Sequence, residues 1–163
     1  MNFLLNTKII FSDEKAEINN AIILLHGFGG DGEDISMISQ NWKRFLKNTV
    51  FLSPDAPEIC SINPSGFQWF DLSKNDNNYI INESKKSEII LLKYIDQVKN
   101  EYKLNNSQII LLGFSQGCMM SINLGLISSE KYKCIVGFSG KIIDKEDLKK
   151  RIKSNTKMLL IHG

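Results

Sequence analysis

Residues Ile109-Ile110-Leu111-Leu112 form an unbroken apolar run that ends in Gly113-Phe114-Ser115-Gln116-Gly117, and this segment most narrows the folds open to the chain. Such a run suits a strand buried on both faces, the kind found in the middle of a parallel sheet. Glycine on either side of Gly-x-Ser-x-Gly leaves room for a serine on a sharp strand-to-helix turn, with its hydroxyl raised above the sheet edge. Cys118, Met119, Met120, Ile122 and Leu126 suit a following helix packed back onto that sheet. Ser115 then stands at a helix N-terminus, where free backbone N–H groups and the helix dipole favour negative charge. The same residues also fit an ordinary strand, turn and helix in which Ser115 only caps the helix.

A second segment supplies context. Ala21-Ile22-Ile23-Leu24-Leu25 is another short apolar run, and it leads directly into His26-Gly27-Phe28-Gly29-Gly30. A glycine-rich loop at a strand end brings backbone N–H groups close to a ligand, as stabilisation of an oxyanion requires. The Phe28 and Gln116 backbone N–H groups are therefore paired as candidate oxyanion donors, with Ser115 as the candidate nucleophile. Taken alone, the loop also reads as a tight turn before a helix starting near Asp31.

Apolar runs predict strands near residues 7–11, 21–25, 49–53, 109–113, 134–138 and 157–161, with helices between most of them. This alternation predicts an α/β fold, a mostly parallel sheet with helices on both faces, in a single domain over 1–163. A helix is expected over 83–103, with Leu91, Ile95, Val98 and Tyr102 on one face and Asn82 as its cap. Another begins after Asp144, with Asp147 in its first turn and Lys149, Lys150 and Arg151 towards its end. Residues 54–80 are irregular and carry Phe67, Trp69 and Phe70. Outside the carboxyl ends of strands, such aromatics either line a ligand pocket or fold inward to seal the sheet. Asp71 reads as a turn residue.

With 42% hydrophobic and 23% charged residues the composition is that of a globular domain, and a net charge of +2 with scattered basic residues points away from nucleic acid. Cys60, Cys118 and Cys134 lack metal-ligand spacing and read as reduced thiols, which implies a cytoplasmic protein. No apolar stretch has the length of a membrane span, so stable membrane insertion is not expected, and no signal peptide is evident. No ligand cluster or phosphate-binding fingerprint implies a metal or organic cofactor.

Leu24-Leu25-His26-Gly27-Phe28-Gly29-Gly30-Asp31-Gly32-Glu33-Asp34, Pro54-Asp55-Ala56-Pro57, Gln68-Trp69-Phe70-Asp71 and Gly113-Phe114-Ser115-Gln116-Gly117 resemble, in this order, the phospholipase/carboxylesterase family of α/β-hydrolases. That family includes the acyl-protein thioesterases. The resemblance implies hydrolysis of a small acyl ester or thioester, with Ser115 as nucleophile and His26, Gly27 and Trp69 beside the substrate. Met158-Leu159-Leu160-Ile161-His162-Gly163 is similar to the family strand that leads to the acid of the triad. The resemblance thus covers the front portion of the family domain and implies that the last strand and helix, the catalytic aspartate and the catalytic histidine lack counterparts.

A serine nucleophile needs a base to take its proton, and in this fold the chain order is Ser, acid, His. Of the two histidines, His26 precedes Ser115 and reads as a residue that orders its loop. Ser115, Asp144 and His162 satisfy the order formally. Two strand steps of about 4.8 Å, however, would separate His162 from Ser115 by nearly 10 Å. The expectation is a chain inactive or very weak alone. Its alternatives are one half of a split enzyme completed by a second chain, or a non-catalytic module that binds acyl or lipid groups. Residues 157–161 would form an apolar sheet edge open to self-association or to a complementing chain.

Overall fold

The computed structural model describes residues 3–163. Eight strands are present: β1 (Thr7–Phe11), β2 (Asn20–Leu25), β3 (Thr49–Pro54), β4 (Glu58–Ile59), β5 (Phe67–Gln68), β6 (Ile109–Phe114), β7 (Cys134–Phe138) and β8 (Met158–Ile161). Six of them form one sheet in the order β1-β3-β2-β6-β7-β8. Only β1 runs antiparallel to its neighbour β3; the other pairings are parallel. β2 and β6, which precede the two glycine-rich segments, are adjacent and in register, with Leu25 opposite Gly113. Both segments therefore leave the sheet side by side at its carboxyl edge.

The helices are α1 (Gly32–Trp42), α2 (Asn77–Tyr102), α3 (Gln116–Ile127) and α4 (Lys145–Arg151), with a 3-10 turn over Asn106–Gln108. They cover both sheet faces, as the alternation predicts. Residues of one strand parity, among them Ile23, Leu25, Val50, Leu52, Ile109, Leu111 and Ile135, meet side chains of α2 and α3 in the main core. The other parity, Ile22, Leu24, Phe51 and Leu112, meets Ile35, Ile38 and Trp42 of α1.

α2 begins earlier than its apolar spacing predicts. Its cap is Asp76, whose carboxylate accepts from the Asn78 and Tyr79 N–H groups, so Asn82 lies inside the helix. Asp144 caps α4 as expected, accepting from the Asp147 N–H at 2.7 Å. The short β4–β5 hairpin was not anticipated. It forms a separate two-stranded sheet and reaches the glycine loop through a bridge between Phe67 and Gly30.

The α1 face is incompletely covered. Ile110, Phe114, Val136, Phe138, Leu159 and Ile161 share it through paired registers across β6, β7 and β8. Phe114, Leu159 and Ile161 are 50%, 56% and 45% exposed. β8 also exposes Met158 and Leu160 on its other face, so this edge strand is apolar and open on both sides.

Three elements behind the sheet are joined by one buried carboxylate. Glu88 of α2, only 4% exposed, accepts two bonds from the Arg151 guanidinium at 2.7 and 2.9 Å and one from Asn123 Nδ2 at 2.8 Å. Removing the cation leaves a desolvated negative charge, which is far costlier than losing a surface pair. Arg151→Met is expected to lower unfolding free energy by about 2–3 kcal/mol, a figure reduced for the partial exposure of Arg151. Urea titration of the two proteins measures the difference.

Candidate active site

Ser115 occupies the turn between β6 and α3 at φ 51° and ψ −112°, a left-handed backbone rarely adopted by non-glycine residues. Such a conformation costs about 1–3 kcal/mol and persists only where its surroundings enforce it. Here the Ser115 N–H donates to the Phe138 carbonyl at 2.8 Å and its carbonyl accepts from the Met119 N–H. Although it stands at the N-cap position, its side chain makes no capping bond. The hydroxyl is half-buried and uncommitted to the helix.

The flanking glycines are required by contact. A methyl group at Gly113 would lie 2.2 Å from the Gly117 carbonyl oxygen, and one at Gly117 would lie 2.0 Å from the Leu25 carbonyl oxygen. The second contact seats the start of α3 directly on the end of β2. A methyl at Gly27 would meet the Phe114 ring at 3.0 Å and Ser115 Cβ at 3.4 Å, so the glycine loop lies against the serine turn.

The loop 26–30 is tied down group by group. The Gly27 carbonyl accepts from the Gly30 N–H at 3.1 Å and lies 2.7 Å from His26 Nδ1. The Gly29 N–H donates to the Phe67 carbonyl, the Gly29 carbonyl accepts from Asn63 Nδ2 at 2.7 Å, and the Phe67 N–H donates to the Gly30 carbonyl. Neither the Phe28 nor the Gln116 backbone N–H has a protein acceptor among the described residues.

His26 is buried, 2% exposed, and both its ring nitrogens are used. The Ala56 N–H donates to Nε2 at 3.0 Å, which requires a lone pair there. The proton of the neutral ring therefore sits on Nδ1 and is donated to the Gly27 carbonyl. Burial pulls the imidazole below its ordinary range, against the opposing effects of the Gly27 bond and the Asp55 and Asp31 carboxylates. His26 thus orders its loop, and although it lines the adjoining cavity it has no free nitrogen to offer a substrate.

Trp69 corrects one expectation. It is fully buried and does not line the cavity beside the serine turn. Its indole Nε1–H donates to the His26 carbonyl at 2.9 Å, and its ring lies 5.2 Å from the imidazole. The Trp69 backbone N–H donates to Gln116 Oε1, while Gln116 Nε2 donates to the Phe70 carbonyl. The Gln116 side chain thereby locks the aromatic loop inward, a role its sequence position did not signal. Asp71 is a turn residue, accepting from Ser73 and from the Tyr79 hydroxyl; the Ser73 bonds chiefly hold its carboxyl below the usual range.

Asp144 and His162 are not brought to the serine. The Asp144 carboxylate is occupied as the α4 cap. His162 is exposed just past β8, two strands from β6. No hydrogen bond joins either to Ser115 among the described residues. A cavity of about 520 Å³ adjoins the site, walled by Phe28, Ile35, Ile38, Phe114 and Phe138, with Asp31 and Asp34 also contributing. Among the described residues there is no cluster of metal-ligating side chains, and no helix is long and apolar enough to cross a membrane.

Residues 6–163 match the family model described as Phospholipase/Carboxylesterase. The chain belongs to the phospholipase/carboxylesterase family. Its relatives include acyl-protein thioesterase 1 of Emericella nidulans, 29% identical over 160 residues spanning 87% of this chain and 67% of that protein. Acyl-protein thioesterase 1 of Schizosaccharomyces pombe is 30% identical over 128 residues, 73% of this chain and 54% of that protein. The chain therefore matches about half the length of that second relative. The crystal structure of esterase PE8 superposes with a TM-score of 0.91 at 34% identity, over 98% of this chain and 74% of that one. The α/β-hydrolase type of sheet expected for this family is the one observed.

Because folded His26 is held below histidine's ordinary value of 6.5, the unfolded chain binds a proton first as pH falls. Its contribution to stability is complete above that value and is lost as pH drops through the folded value. The slope is at most about 1.4 kcal/mol per pH unit. Urea midpoints measured between pH 8 and 5 are expected to fall only below about 6.5, and His26→Gln is expected to flatten that part of the profile.

Proposed function

We propose that the chain carries the nucleophile and oxyanion donors of a hydrolase for carboxylic esters or thioesters. The observation that carries this reading is Ser115, held at φ 51° with an uncapped hydroxyl, against a glycine loop whose Phe28 N–H is unclaimed. Ser115 Oγ attacks the acyl carbonyl, and the Phe28 and Gln116 N–H groups receive the oxyanion. The alcohol or thiol then leaves, and water releases the acyl group from the serine. The apolar cavity beside Phe28 and Phe114 is the space for the acyl chain.

Among the described residues, no base is positioned to accept the proton of Ser115. His26 spends both ring nitrogens on backbone groups, and His162 lies two strands away. An oxyanion hole without the triad base retains only a residual acceleration of roughly 10³ to 10⁴-fold over water. The 163-residue chain alone is therefore a very weak hydrolase. The setting inferred for it is reducing and cytosolic, a reading supported by three free thiols.

A second reading rests on the open edge. β8, paired with β7 on one side, exposes all four of its apolar residues and leaves its outer edge without a strand neighbour among the described residues, directly beside the uncovered face next to the serine. A complementing chain pairing with β8 would extend the sheet, cover Phe114 and Phe138, and bring a base to Ser115.

Wild-type protein is expected to show only trace hydrolysis of a short-chain aryl ester and slow labelling by a fluorophosphonate probe, abolished in Ser115→Ala. Rapid stoichiometric labelling that His162→Ala abolishes would restore Asp144 and His162 as the working pair. If Ser115→Ala labels as well as wild type, the hydrolase reading fails.

A further inference from the structure

Each peptide unit of the loop after β2 is fixed by a bond whose donor or acceptor can be named. The Gly27 carbonyl is held from two directions, by the His26 Nδ1 proton and by the Gly30 N–H. This carbonyl and the Phe28 N–H belong to one planar trans peptide, so the N–H must point opposite to it. The next unit is fixed by the Gly29 N–H on the Phe67 carbonyl, and the one after by Asn63 Nδ2 on the Gly29 carbonyl. Gly29 adopts φ +77°, which lets the chain reverse between the two anchors. A methyl at Gly66 would lie 2.1 Å from the Gly29 carbonyl oxygen, so the hairpin backbone is seated against the loop itself.

From this geometry, and resting on the reading of Ser115 given above, we propose that His26 and Asn63 are positioning residues. Together they latch the Gly27–Phe28 peptide so that its N–H is presented to the oxyanion formed at Ser115. His26 grips the loop from the sheet side, through Gly27, and is itself anchored by the Ala56 N–H. Asn63 grips it from the β4–β5 hairpin, adding a side-chain bond to the two backbone bonds that Phe67 makes to the same loop. Without the latch the peptide can rotate, exchanging the donor for a carbonyl oxygen that repels developing negative charge.

The test is addition of butylboronic acid, a probe that needs no general base. A bond forms between boron and Ser115 Oγ, boron becomes a tetrahedral anion, and the hydroxyl proton passes to buffer. Boron-11 NMR follows the tetrahedral signal, and the Phe28 amide proton resonance reports the bond to the new anion. Wild type is expected to give the tetrahedral signal with a downfield Phe28 shift, and Ser115→Ala neither. His26→Asn and Asn63→Ala are expected to bind at least about tenfold more weakly, with less than about half the Phe28 shift at saturation. Asn63 is exposed, so its variant decides the matter if His26→Asn fails to fold. If both variants bind and shift like wild type while Ser115→Ala does not bind, the latch is overturned and the Ser115 reading stands. Absence of the signal in wild type, or its persistence in Ser115→Ala, overturns both.

Discussion

The close approach of α3 to the end of β2 is the constraint on which the site depends. With only hydrogen on the Gly117 Cα, the first turn of α3 can rest on the Leu25 and His26 carbonyls. That contact fixes two things at once. It forces the chain entering the helix through a left-handed residue, which is Ser115, and it sets the serine turn against the loop that begins at His26. The parallel register of β2 and β6 makes the contact possible, since Leu25 and Gly113 end their strands at the same level. The strain at Ser115 is held by β7 through the Phe138 carbonyl and by α3 through the Met119 N–H, so it is shared between two elements.

Around that contact the polar groups are arranged so that most are consumed internally. Buried donors and acceptors cost free energy unless paired, and in the loop 26–30 the carbonyls of His26, Gly27, Gly29 and Gly30 and the N–H groups of Gly29 and Gly30 are paired. An imidazole serves here where a carboxylate could not, since the site needs one acceptor and one donor. Its two nitrogens have opposite roles, one accepting from Ala56 and the other donating to Gly27, so it links two loops that leave different strands. Trp69 closes the arrangement by donating to the His26 carbonyl and shielding the ring from water. That shielding depresses the basicity of His26 and makes it a poor proton acceptor for Ser115 even apart from geometry.

The sheet was legible because each buried strand is a short apolar run bounded by glycine or polar residues, a local signal that needs no knowledge of partners. The serine turn was legible for the same reason: two glycines at fixed offsets record a steric demand directly. The inward fold of Trp69 was one of two alternatives the sequence left open, because its burial depends on Gln116, a residue 47 positions distant whose amide bridges the aromatic loop. The hairpin at 58–68 was missed although Asn63-Pro64-Ser65-Gly66 is a turn signal, since two-residue strands leave no period to detect. The start of α2 was displaced because its first turn lies on the surface and lacks the apolar spacing that marks the remainder; there the cap, Asp76, was the stronger signal.

Exposed apolar area is distributed unevenly between the two faces of the sheet. On the α2 and α3 side, the main core is closed and its carboxylate, Glu88, is fully paired. On the α1 side, apolar residues of β6, β7 and β8 continue past the reach of α1. A sheet face does not remain apolar in water without cost, at about 25 cal/mol per Å², and here it adjoins both the serine turn and the unpaired edge. Ser115 and the loop 26–30 lie where the two sides meet, held by packing and hydrogen bonds from β7, α3 and the β4–β5 hairpin. Any group covering that face would bury Phe114 and Phe138 and lower the dielectric around Ser115 in the same step, because the serine turn and the exposed apolar area share one edge of the sheet.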